Sequence, residues 1–272
     1  MAHDILILGG GPAGLSAALN ARARGRSALV VSTPLEENPL WQAEKVDNHL
    51  GMPSLSGAQL LTAMRRHAEH AGAAFLEGRA VSAMRLEGTW YVSVGTEMEN
   101  AKAMVLASGI LRGKKFPGEA EFLGRGVSYC ATCDGMLYRG KSVVVAGYSD
   151  SARREADFLA QIGCHVTYFH RPESLVIQGG NQVERVIVGG ESVEAQGVFL
   201  LRSAMAPTDL FPGISMEGNF VKVDRKMATN LPGLFAAGDC TGGPLQVSKA
   251  VGEGLIAGQS AAAFAAALMR KK

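Results

Sequence analysis

The stretch that most limits the fold is Ile5-Leu6-Ile7-Leu8 running straight into Gly9-Gly10-Gly11-Pro12-Ala13-Gly14. Four apolar residues read as a buried strand, the glycines as a tight turn, and L-S-A-A-L-N-A-R-A-R, closed by Gly25, as a helix leading to a second strand, A-L-V-V. That is a βαβ opening. The same grammar returns at residue 142, where S-V-V-V-A-G-Y-S-D-S-A leads into R-R-E-A-D-F-L-A-Q-I-G and then H-V-T-Y-F. An architecture that begins twice is an α/β protein built from two dinucleotide-binding-type domains.

Between the two openings, 58–71 has helical spacing, while 91–94 and 103–107 read as strands. Phe116-Pro117-Gly118-Glu119 reads as a linker. The expected division is a discontinuous domain of residues 1–115 and 217–272 around a second domain of residues 116–216. The chain from Gln246 onward reads as a helix. With 272 residues and 47% hydrophobic residues there is enough apolar material for two cores.

Composition removes several classes of function. A formal net charge of +2 offers no field for nucleic acid. The first residues lack the basic region and apolar stretch of a secretory signal, so a cytoplasmic location is expected. The run from Gly254 to Met269 is charge-free but short of the ~20 apolar residues of a membrane span, so no membrane is expected.

Gly9, Gly11 and Gly14 match G-x-G-x-x-G between a strand and a helix. Such glycines let a pyrophosphate approach the helix N–H groups, and Pro12 suits the first helical turn. Dinucleotide binding is the expectation here. One departure is visible: the second strand ends Val31-Ser32-Thr33, without the acid that usually holds the ribose, leaving that task to Ser32 or to Glu36 or Glu37.

Cys130 and Cys133 stand in Y-C-A-T-C-D-G, spaced so that they can close on each other. A zinc half-site and an inert buried pair compete with a redox pair. Zinc would need two further ligands, and Cys164 and Cys240 are isolated and read as packing residues, so no metal is expected. A redox role is the preferred reading. Asp134 is placed to move a proton at a leaving thiolate, or is simply the first residue of an Asp-Gly turn.

G-G-G-P-A-G near the start, Y-C-A-T-C-D-G in the middle and F-A-A-G-D near the end, in that order, resemble low-molecular-weight thioredoxin reductases. V-D-N-H-L-G resembles the family's flavin-contacting V-E-N-x-P-G, and L-A-S-G-I the strand that closes the first segment. The resemblance implies FAD, held by Gly9, Gly11, Pro12, Ala13, Gly14, Ser32, Asn48, Val81, Gly109, Gly238, Asp239, Gln246 and Val247. In it, Asp239 meets the ribityl chain and Gln246 lies beside the ring, where the N-terminus of the last helix favours negative charge. It also implies that Cys133 exchanges electrons with the flavin, that Cys130 attacks the substrate disulfide, and that the protein is a homodimer. Trp41 stands near the expected flavin contacts, either covering the ring or packing in the core.

The resemblance breaks at the second opening. Gly147-Tyr148-Ser149-Asp150-Ser151-Ala152 has Ser149 where a nicotinamide pyrophosphate needs bare backbone, and Asp150 where phosphates would sit. Arg171 alone remains of the arginines that bind a 2′-phosphate in NADPH-using relatives. About 25 residues between Pro172 and Val198 are too few for a complete doubly wound domain. The expectation is a complete FAD domain and a reduced, degenerate second Rossmann-like domain carrying the C-x-x-C. The pattern resembles the pyridine-nucleotide-independent branch, which implies thioredoxin or a thioredoxin-like protein as substrate and ferredoxin as donor. Arg22, Arg24 and Arg26, or Lys114 and Lys115, offer docking charge for such a donor, with solvated surface as the plainer reading. A dithiol oxidase passing electrons to oxygen, an NADPH enzyme with an atypical site, and a flavin-binding module without catalysis are the competing expectations.

Overall fold

The computed structural model describes residues 3–109, 115–149, 152–202 and 205–270. The chain divides into two compact units, residues 1–111 with 204–272, and residues 112–203. Residues 204–216 thus cluster with the first unit.

The first unit opens with β1 (His3–Leu8), α1 (Pro12–Ala23), β2 (Ala28–Ser32), α2 (Gly57–His70) and β3 (Ala74–Glu77). A meander follows, of β4 (Ala80–Leu86), β5 (Thr89–Val94) and β6 (Glu97–Leu106). The second unit contributes β7 (Val127–Ser128), α3 (Ala131–Asp134), β8 (Ser142–Gly147), α4 (Ala152–Gln161) and β9 (His165–His170). It continues with β10 (Leu175–Gly179), β11 (Val183–Val188), β12 (Glu191–Glu194) and β13 (Gly197–Leu201). The chain then returns to the first unit through α5 (Pro207–Leu210), β14 (Met216–Glu217), β15 (Phe220–Val221), β16 (Leu234–Ala236) and α6 (Val247–Met269).

In the first unit the strand order is β3-β2-β1-β6-β5-β4, with β16 also on β6. β6 is long enough to serve two sheets' worth of partners: its first half pairs antiparallel with β5, and its second half runs parallel to β1 and β16. Ile5, Leu6 and Ile7 are completely buried, as an apolar run covered on both faces should be. α6 meets the length and composition of a membrane span. It nevertheless lays Ala250, Gly254, Ala257, Gly258 and Ala261 into the core. Gly254 and Gly258 allow this, since a Cβ there would lie 2.2 Å from the Ala13 carbonyl oxygen and 2.3 Å from that of Ala17 on α1.

The second unit is a four-stranded parallel sheet, β7-β13-β8-β9, with a separate antiparallel ladder β10-β11-β12. α4 is the crossover between β8 and β9, and the ladder stands where a complete domain would continue with helices. Gly147 ends β8 level with Leu201 on β13 and His170 on β9, so Tyr148, Arg202 and Arg171 emerge together at the carboxyl edge, where α/β folds bind ligands. Within Phe116–Glu119, expected as a linker, Pro117 is exposed but Glu119 is 1% exposed and packed into this unit.

Candidate active site

The glycine turn of the first unit is built for close approach. Gly9 has φ +122°, and a Cβ on it would lie 2.2 Å from the Ala107 carbonyl oxygen; one on Gly14 would lie 1.9 Å from that of Gly9. Gly11 is the N-cap of α1 and offers no side-chain cap, with Pro12 in the first turn, so the first N–H groups of α1 have no side-chain partner from the cap. Ser32, at the end of β2, places its hydroxyl oxygen 2.7 Å from where a Gly10 Cβ would be. Gly238, at φ +86°, brings the Gly238-Asp239 turn to the same place: its Cβ would sit 2.7 Å from the Ala13 Cβ. The cradle therefore has a helix N-terminus without a side-chain cap for a pyrophosphate and the Gly238-Asp239 turn packed beside it, and these residues fit FAD.

Around that cradle, Asn48 Nδ2 donates to Gln246 Oε1, and His49 Nδ1 lies 3.3 Å from the Ser248 hydroxyl, joining the 46–51 loop to the start of α6. Gln246 is the N-cap of α6 and Val247 its first residue. A capping box between Ser56 and Gln59 starts α2 just after this loop. Val81 falls at an irregularity in the β4–β5 ladder, and Gly109 has φ +69° with open space around it. Trp41 packs against the core of this unit. Arg22 and Arg24 lie at the far end of α1 from the glycines, away from the cradle.

Sequence reading missed what holds Asp239. Lys249 donates to the Gly238 and Gly242 carbonyls, each at 2.7 Å, and Glu253 accepts the Gly238 N–H at 2.8 Å. Burial pushes the Asp239 carboxyl up, Lys249 pulls it back, and Glu253 adds to the rise. An i,i+4 charge pair on an otherwise neutral helix was the available signal.

In the second unit Cys130 and Cys133 form a disulfide. Cys130 caps α3, and its Sγ accepts the Cys133 N–H at 3.1 Å, with the Thr132 hydroxyl at 3.4 Å. Cys130 is 6% exposed, whereas Cys133 is exposed. Asp134 accepts a 2.7 Å bond from the Ser128 hydroxyl, whose oxygen also receives the Cys130 N–H at 3.1 Å. Ser128, buried and unforeseen, thus ties the carboxylate to the cysteine loop. Cys164 and Cys240 are buried free thiols; burial pushes both up, Cys240 to about 12. Among the described residues no cluster of metal-ligating side chains occurs.

Aromatic and ionic contacts cross the carboxyl edge of the second sheet. Tyr148 O–H donates to the Pro172 carbonyl at 3.0 Å, reaching from the β8 turn to the end of β9, and its ring stacks on Phe116 at 5.8 Å. Arg202 makes a bidentate pair with Glu119 at 2.7 and 2.8 Å, and Tyr129 O–H donates to Glu119 at 2.9 Å. Ser149 is 4% exposed, while Asp150, Ser151 and Lys114 lie outside the described residues. Tyr148, which the sequence did not single out, adds a side chain across this edge next to the buried Ser149.

The chain matches the family described as pyridine nucleotide-disulphide oxidoreductase over residues 3–204 and 174–254. It is 31% identical over 295 residues to a thioredoxin reductase of Listeria innocua, covering 95% of this chain and 92% of that one. A crystal structure of a ferredoxin-flavin thioredoxin reductase from Clostridium acetobutylicum superposes with a TM-score of 0.94 at 32% identity, over 99% of both chains. A second structure of a protein so described, from the same organism, gives 0.85 at 36% identity and the same coverage. With the glycine cradle, the acid turn and the C-x-x-C disulfide all in place, this chain belongs to the pyridine nucleotide-disulphide oxidoreductase family and is an FAD-dependent disulfide oxidoreductase of the thioredoxin reductase type.

Proposed function

We propose that this protein reduces thioredoxin, or a thioredoxin-like protein, with electrons from ferredoxin or another one-electron protein donor, without NADPH. The observation that carries the donor reading is the side chain of Tyr148, which crosses from the end of β8 to Pro172 beyond β9. A nicotinamide nucleotide would lay its pyrophosphate at the turn after β8, and there Tyr148 bridges to Pro172 while Arg202 is engaged by Glu119. The two Clostridium acetobutylicum proteins of similar structure, described as ferredoxin-flavin thioredoxin reductases, support the same reading.

Bound FAD supplies a two-electron store that can be filled one electron at a time and emptied as a pair. We assign Gly9, Gly11, Pro12, Ala13 and Gly14 to the pyrophosphate, Ser32 and Val81 to the adenosine end, and Asp239 to the ribityl chain. Asn48, Gly109, Gln246 and Val247 are assigned to the ring. Reduction of the Cys130–Cys133 disulfide takes two electrons and two protons. The Cys130 thiolate then attacks the partner disulfide, forming a mixed disulfide and expelling one thiolate. Cys133 attacks Cys130 Sγ, restoring the internal disulfide and releasing the second thiolate. Asp134, held by Ser128, supplies or takes the proton at the departing sulfur. Cys130 is covered in this arrangement, so its attack on a protein requires uncovering. Met136 and Leu137, 59% and 68% exposed just beyond the pair, give a partner protein apolar surface to dock on.

The drive is sufficient: a ferredoxin near −400 mV and a thioredoxin near −270 mV differ by ~130 mV, or about 6 kcal/mol over two electrons. Thioredoxin chemistry of this kind fits a reducing, cytoplasmic setting. Anaerobic mixing of the purified flavoprotein with each donor tests the reading. Reduced ferredoxin is expected to bleach the flavin and generate thioredoxin thiols; NADPH bleaching it as fast would overturn the donor assignment. Rapid peroxide formation from a dithiol, without thioredoxin turnover, would point to the oxidase instead.

A further inference from the structure

α6 holds only two charged residues along its length, Lys249 and Glu253, one turn apart. Their side chains are 14% and 19% exposed and their charges 2.9 Å apart. Their other side-chain hydrogen bonds all go to one short turn, residues 238–242. Lys249 Nζ donates to Gly238 O at 2.7 Å, Gly242 O at 2.7 Å and Thr241 Oγ1 at 2.9 Å. Glu253 Oε2 accepts from the Gly238 N–H at 2.8 Å and the Thr241 hydroxyl at 2.7 Å.

Charges this well covered are costly, and well-packed apolar residues in place of such a pair are often neutral or stabilising. An apolar helix that needed only to pack would not carry them. What the pair adds is a fixed conformation for the 238–242 turn, whose Gly238, next in the chain to Asp239, abuts Ala13 of the glycine cradle. We propose that Lys249 and Glu253 are positioning residues that set FAD affinity, by clamping the turn that aims Asp239 at the cofactor. This rests on the assignment of Asp239 to FAD. Lys249 has a second effect in the same direction, because its charge opposes the rise that burial imposes on the Asp239 carboxyl.

The test is FAD release from the holoenzyme, followed as the rise in free-flavin fluorescence after dilution. Lys249→Met is expected to weaken retention about tenfold or more, as loss of charge-assisted hydrogen bonds predicts, with Lys249→Arg restoring most of it. The double variant Lys249→Met with Glu253→Gln relieves the buried unpaired charge. It should recover the melting temperature of the protein without recovering FAD retention, which separates clamping from stability. Lys249→Met or the double variant holding FAD within about twofold of the parent would overturn the proposal. Asp239→Asn runs in parallel: if it too retains FAD fully, the assignment of Asp239 fails; if it releases FAD and the lysine variants do not, only the clamp fails.

Discussion

Glu119 accepts four hydrogen bonds while nearly sealed from water: two from Arg202, one from Tyr129 and one from the Phe116 N–H. Burial works to raise its carboxyl, but the Arg202 hydrogen bond and charge, with the other donors, hold it below the usual carboxylate range. A depressed folded-state value means stability that is fully present above the unfolded value, near 4.5, and is lost as pH falls through the folded one. Unfolding in denaturant should therefore show a steeper acid loss in the parent than in Glu119→Gln. Arg202→Met should cost about 3–5 kcal/mol at neutral pH by stranding the carboxylate. None of this was legible at Glu119 in the sequence, because Arg202 stands 83 residues away. The Cys130–Cys133 disulfide was legible because its spacing is local. Ser128, two residues before Cys130, was missed because a lone serine carries no pattern.

At the scale of elements, β1, α1 and β2 follow the periodicity of their residues closely, since strand, turn and helix are each specified within a few positions. α6 was legible as a helix but not as the partner of α1. That pairing depends on Gly254 and Gly258 meeting backbone atoms of residues more than 200 positions earlier. Gly258→Ala should destabilise the protein by about 1–3 kcal/mol, since the Ala17 backbone has nowhere to retreat. Gly254→Ala, pressing on Ala13 in the cradle, should in addition lower the FAD content of the purified protein. Melting temperature and the flavin-to-protein absorbance ratio check the two effects. The departures of the second opening from G-x-G-x-x-G were visible in the sequence. That Tyr148 bridges to Pro172 was not, because a tyrosine in a turn has no sequence signature of its target.

At the scale of the whole molecule, two compact units were foreseeable from two βαβ openings, whereas the return of residues 204–216 to the first unit was not. Its described part, residues 205–216, holds the short helix α5 and loop leading to β14, with no periodicity to mark its allegiance. The outer face of α6 leaves Leu255 and Ile256 42% and 37% exposed, and if the homodimer implied by the family resemblance forms, this apolar surface is a place to test for its interface. Light scattering is expected to give twice the 28.5 kDa chain mass, and Ile256→Asp to shift the protein toward monomer.

The Glu119–Arg202 pair has one more implication, because its two residues stand close to the start and the finish of the 112–203 segment. A segment whose own ends are riveted behaves as a cassette: the entropy of bringing its termini together is met inside it rather than by its host. Such a piece can be lengthened, pared down or exchanged for another over evolutionary time while the surrounding flavin scaffold keeps the same two attachment points. The antiparallel ladder β10-β11-β12 in this insert, beside a complete βαβ unit in the first, is the kind of change that modularity permits.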